Sequence, residues 1–217
     1  MFIRPEFVND HVYHIYNRGV AKQVIFHDNQ DFNHFLSTLS FYIEKKPKTK
    51  FSMIPPKERA RILTEKPKTP LVEILTYCLM PNHFHLAIKQ LADGGITSFL
   101  KHSLNSYSRA YNTRYNRIGT IFQGRSSAVL VENDEQLLHL SRYQHLNPFV
   151  AKIVSKPSDY VWSSYKVNYL DNKSCRVCHP DFILSLAGSP TRYQDFVEDY
   201  ASYAQDLAYI KKVLIDT

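Results

Sequence analysis

His83 and His85 stand two residues apart in the stretch Thr76-Tyr77-Cys78-Leu79-Met80-Pro81-Asn82-His83-Phe84-His85-Leu86-Ala87-Ile88-Lys89. The stretch reads as two apolar strands folded over a Pro-Asn turn, with both histidines opening the second strand. Side chains alternate across a strand, so the two imidazoles share one face and Phe84 takes the other. Such a pair on a rigid backbone can grip a divalent metal, the plain alternative being ordinary strand histidines. Further on, Arg142-Tyr143-Gln144-His145-Leu146-Asn147-Pro148 carries Tyr143 and Asn147 four residues apart, stacked on one helix face a turn from each other. Asn147 offers an amide oxygen, a suitable third ligand beside two imidazoles for Mg2+ or Mn2+. Tyr143 offers a phenol that could meet a phosphate bound to that cation. His145 lies about 200° round the helix from Tyr143 and faces away from this group.

Positioning these groups is the task of the surrounding elements. His11 to Gly19 is rich in β-branched and aromatic residues and ends on glycine, which predicts a strand. A helix follows from Asp28, with an Asp or Asn cap and Phe32, Phe35, Leu36, Leu39 and Ile43 at helical spacing. Prolines at 47, 55, 56, 67 and 70 mark 45–70 as an insertion with one short helix around Lys57 to Leu63. After the histidine hairpin, Asp93-Gly94-Gly95 is a turn, and Thr97 or Ser98 can cap a helix running to about Tyr115. Its Tyr107, Tyr111 and Tyr115 form a core face, with a base-stacking ladder as the alternative. Thr120 to Val131 reads as a strand. Asn133 and Gln136 then sign a capping box for a helix from Asp134 to about Asn147, stopped by Pro148.

Strand, helix, strand, strand, helix, strand, helix is the α+β, ferredoxin-like split βαβ order: an antiparallel sheet with an added tyrosine-bearing helix and a C-terminal helical extension. On this reading 1–150 is the catalytic domain, interrupted by the basic 45–70 insertion, and 151–217 is an extension packing on it. Within that extension Tyr160 to Tyr165 packs back onto the body, and Tyr193 to Leu214 forms a final helix or pair of helices.

Charge is unevenly placed. Between Lys45 and Lys68 nine basic residues face two acidic ones, and Ile96 to Arg125 holds five basic residues and no acid, within a net charge of +7. Positive charge gathered in two segments points to a polyanion, against the plainer reading of solvated lysine loops. No run is long enough for a membrane span and no charged-then-apolar signal opens the chain, so a soluble, cytoplasmic protein is expected. Cys78, Cys175 and Cys178 do not suggest a disulfide framework. Cys175-x-x-Cys178-His179 matches a haem-attachment pattern and half of a zinc site, but a plain loop is the expectation.

Met80 to Leu86 resembles the His-hydrophobic-His signature of the single-tyrosine HUH transposases, and Arg142 to Pro148 resembles their tyrosine-bearing helix. Tyr13 to Gly19, Phe122-Gln123-Gly124-Arg125 and Val161 to Tyr165 resemble motifs of their REP-associated tyrosine transposase branch. The likeness spans roughly His11 to Tyr165, with five motifs in order. It departs at Ser126-Ser127, where relatives tend to carry a bulky and then a basic residue.

The resemblance implies metal-dependent cleavage and rejoining of single-stranded DNA at hairpin, REP-like sequences in a bacterial, nucleoid-associated setting. Tyr143 would be the nucleophile, giving a 5′-phosphotyrosine and a free 3′-hydroxyl, with Mg2+ or Mn2+ on His83, His85 and Asn147. Lys101, Arg109, Arg114 and Arg125 are the candidate backbone contacts, with Asn17 and Arg18 near the mouth of the site. Family members differ in whether the tyrosine serves its own subunit or, in a homodimer, a partner's, and both arrangements stay open. The competing readings are a catalytically idle hairpin-binding regulator and a metal hydrolase that uses water and leaves no covalent adduct.

Overall fold

The structure, a computed structural model, describes residues 5–204 apart from 46, 48, 172, 174, 175 and 202. Strand β1 (Val12–Arg18) runs along the middle of the sheet. It is followed by helix α1 (Asn29–Tyr42), whose N-terminus is capped by the Asp28 carboxylate accepting from the Gln30 and Asp31 amides. The insertion contributes one helix, α2 (Pro56–Thr64). Strands β2 (Val72–Met80) and β3 (His83–Gln90) make the expected hairpin, followed by α3 (Gly95–Arg114), β4 (Ser127–Val131) and α4 (Asp134–Val150). Helices α5 (Asp181–Ala187) and α6 (Pro190–Glu198) complete the described regular α-helices.

All pairings are antiparallel and the strand order is β2-β3-β1-β4. This is the ferredoxin-like sheet expected from the element order. One face is covered by α1 and α3 over a core in which Phe35 meets Phe84 at 5.3 Å and Tyr107 at 4.9 Å between ring centroids. The tyrosines of α3 serve this core: Tyr107 and Tyr111 are buried, and their hydroxyls donate to the Ile25 and Val24 carbonyls. On the other face α4 covers the β2 side, its buried Gln144 accepting from the Thr76 hydroxyl.

Edge strand β2 has no free outer edge where the C-terminal extension crosses it. The Leu79 amide donates to Trp162 O at 2.9 Å, and the Ser164 and His179 amides donate to Tyr77 O and Ile74 O, both at 3.0 Å. The Tyr169 hydroxyl and the Cys178 thiol both donate to Leu75 O, at the irregularity between Ile74 and Thr76. Covering an edge in this way satisfies backbone groups that would otherwise recruit another strand. Tyr160 to Tyr165 therefore packs on the body as expected, and Cys178 is a buried structural residue; Cys175 lies outside the described residues.

Four local expectations change. Helix α3 starts at Gly95, with Gly94 in the left-handed region (φ 65°) and no capping side chain from Thr97 or Ser98. A Cβ on Gly95 would come within 2.3 Å of Leu71 O, so the close approach of that backbone sets the start. Strand β4 shrinks to Ser127–Val131, Phe122 keeping only an isolated bridge to Gly19. Pro148 lies inside α4 and does not stop it. In the last turn it removes only one amide donor, and the Ala151 and Ile153 amides still reach Asn147 O and Pro148 O at 2.9 Å. Helix α5 was not foreseen, and of the Tyr193 to Leu214 run residues beyond 204 lie outside the described residues. Among the described residues no helix is long and apolar enough to cross a membrane.

Candidate active site on the histidine face of the sheet

Antiparallel pairing puts Tyr16 opposite His85, Arg18 opposite His83 and His14 opposite Ala87. Opposed residues share a face, so His14, Tyr16, Arg18, His83 and His85 all rise from the side that α4 flanks. Phe84 points into the core on the far side and is fully buried. Tyr143 reaches this face from its own chain: its ring stands edge-on to His85 at 5.6 Å and to His14 at 6.4 Å. His83 and His85 are edge to face at 5.0 Å. Asn147 stands one turn along α4 from Tyr143, and its side chain acts on the Tyr143 phenol.

Each histidine has one nitrogen engaged. Asn82 Oδ1 lies 2.7 Å from His83 Nδ1, while Asn82 Nδ2 donates to Lys22 O at 3.3 Å. With its nitrogen spent on a carbonyl, the Asn82 amide presents its oxygen to His83, which must carry its proton on Nδ1 and keep a lone pair on Nε2. His85 Nδ1 lies 3.0 Å from His14 Nε2, the two rings stacked at 5.2 Å. Burial first, and then the neighbouring His14 and His83, push His85 down to about 2. Burial alone takes His14 down to about 4. His83 is lowered by burial and then by Arg18. All three rings are therefore neutral near pH 7, the state in which imidazole can donate to a metal.

Tyr143 is 53% exposed, yet the side of its ring against the sheet is desolvated. That desolvation raises the phenol above its ordinary value, against the Asn147 side chain, which lowers it. The nucleophile candidate is protonated at neutral pH and requires activation.

A cavity of about 570 Å3 opens over this group, lined by the two histidines, Tyr143, Tyr16, Asn82 and Ser127, and by the cations Arg18, Lys22 and Arg125. Among the described residues no Asp or Glu lines it. Among the described residues no group of three His, Cys, Asp or Glu is placed to hold a metal. A cation here would thus rest on two imidazole nitrogens and complete its shell with oxygens, and the donor chemistry of His83, His85 and Asn147 fits that description. Asn147 does not line the cavity and meets it through Tyr143.

The six candidate DNA-contacting residues fall into two groups. Asn17, Arg18 and Arg125 line the histidine cavity. Asn17 is nearly fully buried there, its Nδ2 donating to Gly124 O and Ser126 Oγ and its Oδ1 accepting from the Arg18 amide, so it ties β1 to the loop before β4. Lys101, Arg109 and Arg114 instead line a cavity of about 770 Å3 between α1, α3 and the turn Phe51–Met53, which belongs to the opposite side of the sheet. Arg114 is engaged by Asp28 and Asp31 in two ion pairs, each at 2.5 Å.

His14, Tyr16, Lys22, Asn82 and Gln123 were not singled out from sequence. For His14 and Tyr16 the signal was present: the split βαβ order makes β1 the neighbour of β3, and alternation then sets them beside the histidine pair. Lys22 and Asn82 depend on loop geometry. Ala21 and Lys22 adopt consecutive left-handed conformations (φ 52° and 60°), a strained corner that brings Lys22 O to Asn82.

No family model and no curated protein matches the sequence. Among solved structures the chain is similar to one of a REP-associated tyrosine transposase bound to a REP hairpin. The two share 14% identity over 82% of this chain and 91% of that one, with a TM-score of 0.56. At that identity the likeness shows a shared fold and nothing finer.

Proposed function

We propose that the chain cleaves and rejoins single-stranded DNA at hairpin-forming, REP-like sequences, with Tyr143 as nucleophile and a divalent cation, Mg2+ or Mn2+, on His83, His85 and Asn147. The observation that carries this reading is the approach of Tyr143 to His85, 5.6 Å between rings, in a basic cavity free of carboxylates. The fold shared with a hairpin-bound transposase supports it.

Bound there, the cation would supply Lewis-acid polarisation of the scissile phosphate. The chain's own groups do the rest. Arg18, Lys22 and Arg125 favour a phosphate in the cavity, and the absence of acid leaves that attraction unopposed. The Asn147 side chain, one turn along α4, lowers the phenol against its desolvation. Attack by the phenolic oxygen forms the phosphotyrosine bond as the phosphorus–3′-oxygen bond breaks; the phenol gives up a proton and the 3′-oxygen takes one up. Rejoining is the reverse step on another 3′-hydroxyl, so no nucleotide cofactor is required. Lys101 and Arg109 offer a second basic surface to the DNA backbone across the sheet.

The test is a labelled hairpin oligonucleotide incubated with protein and Mn2+ and run on a denaturing gel. A protein–DNA adduct is expected with the wild type and none with Tyr143→Phe, whose DNA affinity stays near wild type. Binding without any adduct would favour a hairpin-binding regulator. Cleavage that survives Tyr143→Phe would favour a hydrolase using water.

A further inference from the structure

His14 has no part in the reaction proposed above, yet it is His14 that His85 Nδ1 meets, at 3.0 Å. Two neutral imidazoles at that distance share one proton, so one nitrogen donates and the other accepts. Were His14 the donor, the lone pair of His85 would be spent on it and the His85 proton would sit on Nε2, leaving no donor for a cation. With His14 as acceptor, His85 carries its proton on Nδ1 and its Nε2 lone pair stays available. His83 is already held in that second state by Asn82.

We infer that His14 is a positioning residue for the metal site: its Nε2 accepts the Nδ1 proton of His85 and holds that ring in the tautomer and orientation that present Nε2 to a divalent cation. This rests on the metal reading given under the proposed function. The placement follows from the sheet. The pairs Tyr16–His85 and His14–Ala87 are successive on one face, so His14 is the diagonal neighbour of His85 on an adjacent central strand. Its ring is further held by Tyr16 at 5.0 Å.

The choice of imidazole has a consequence. Metal-bound histidines are commonly oriented by a carboxylate or a carbonyl. A carboxylate at position 14 would place a negative charge under the site where a phosphate is to bind. A neutral imidazole accepts the same hydrogen bond without that repulsion, in keeping with a cavity lined by cations and no acid.

Two measurements test this on the full chain, neither depending on DNA cleavage. Histidine 15N NMR of the metal-free protein should show the His85 proton on Nδ1, and His14→Leu should turn this single tautomer into a mixture. Titration with Mn2+ alone, read by the EPR signal of the free ion, should show His14→Leu binding about 10- to 100-fold more weakly than wild type. His14→Gln, whose amide oxygen can reach the place of Nε2, should recover most of that loss. A wild-type His85 protonated on Nε2 overturns the inference, as does His14→Leu binding Mn2+ as tightly as wild type while the metal site itself stands. If the wild type takes up no Mn2+, the metal reading falls, and the tautomer alone decides the direction of the His14–His85 hydrogen bond.

Discussion

At the scale of single residues, what distinguishes this histidine pair from ordinary strand histidines is that each has its Nδ1 occupied and its pKa lowered by burial. Asn82 does for His83 what His14 does for His85. Replacing Asn82 by Leu should therefore weaken Mn2+ binding by about tenfold or more, measured by titration with the metal alone; an unchanged affinity would show that the Asn82 contact has no bearing on the ligand. Arg114 illustrates the opposite case, a cation chosen for DNA contact whose guanidinium is occupied inside the fold. It pairs with the almost fully buried Asp31, which also accepts from the Tyr115 hydroxyl and the His27 amide. Arg114→Ala should lower stability, because it takes the ion-pair partner from the almost fully buried Asp31. The urea midpoint should fall with the m-value unchanged.

At the scale of elements, the problem is to hold α4 so that Tyr143 meets the sheet. The helix is anchored on its far side by a buried relay. His145 Nε2 lies 2.8 Å from Ser164 Oγ, which also accepts from the Tyr77 amide, and His145 Nδ1 lies 2.7 Å from the Tyr193 hydroxyl of α6. Tyr193→Phe removes that partner and the one to Ser141. A cost of about 1–3 kcal/mol is expected, together with slower adduct formation at unchanged hairpin affinity. Equal adduct rates would show that α6 does not help to seat Tyr143. The corner after β1 is a second such support. Gly19 has an ordinary φ of −62°, but a Cβ there would come within 2.3 Å of Gln23 O. Gly19→Ala should therefore destabilise by about 1–3 kcal/mol through overpacking, visible in thermal unfolding.

At the scale of the whole molecule, burial of neutral histidines sets an acid limit. His14, His85 and His145 are driven by burial to about 4, 2 and 3 from an ordinary value near 6.5. The unfolded chain therefore takes up protons first as pH falls, so the stability held by neutral rings is complete above about pH 6.5 and is lost toward the folded values. The slope is about 1.4 kcal/mol per pH unit for each ring. Asp28, held at about 2 chiefly by Arg114, contributes its loss only below its ordinary value near 3.8, outside this window. Urea midpoints at pH 7, 6 and 5 should fall steadily, and a flat profile would contradict the buried neutral state. The extension is equally a whole-molecule feature. Ending the chain after Val150 would strip the cover from β2, and such a truncation should be recovered as aggregate where the full chain is recovered in solution.

Alternation and helical repeat made the site's outline legible in the residues themselves. His83 and His85 on one face, Phe84 in the core, Tyr143 above Asn147 and His145 turned inward all follow from periods of 2 and 3.6. The strand order followed from the sequence of elements, because a split βαβ arrangement admits few pairings. What lies between non-adjacent segments was decided only in three dimensions. That Asn82 and His14 orient the two histidines depends on a strained corner at Ala21-Lys22 and on the register of β1 against β3. That Arg114 serves Asp31 while Arg125 faces the cavity depends on which side of the sheet each segment reaches. Local periodicity constrains the direction in which a side chain leaves its own element; which group it meets there depends on how distant elements pack, and no local pattern carries that information.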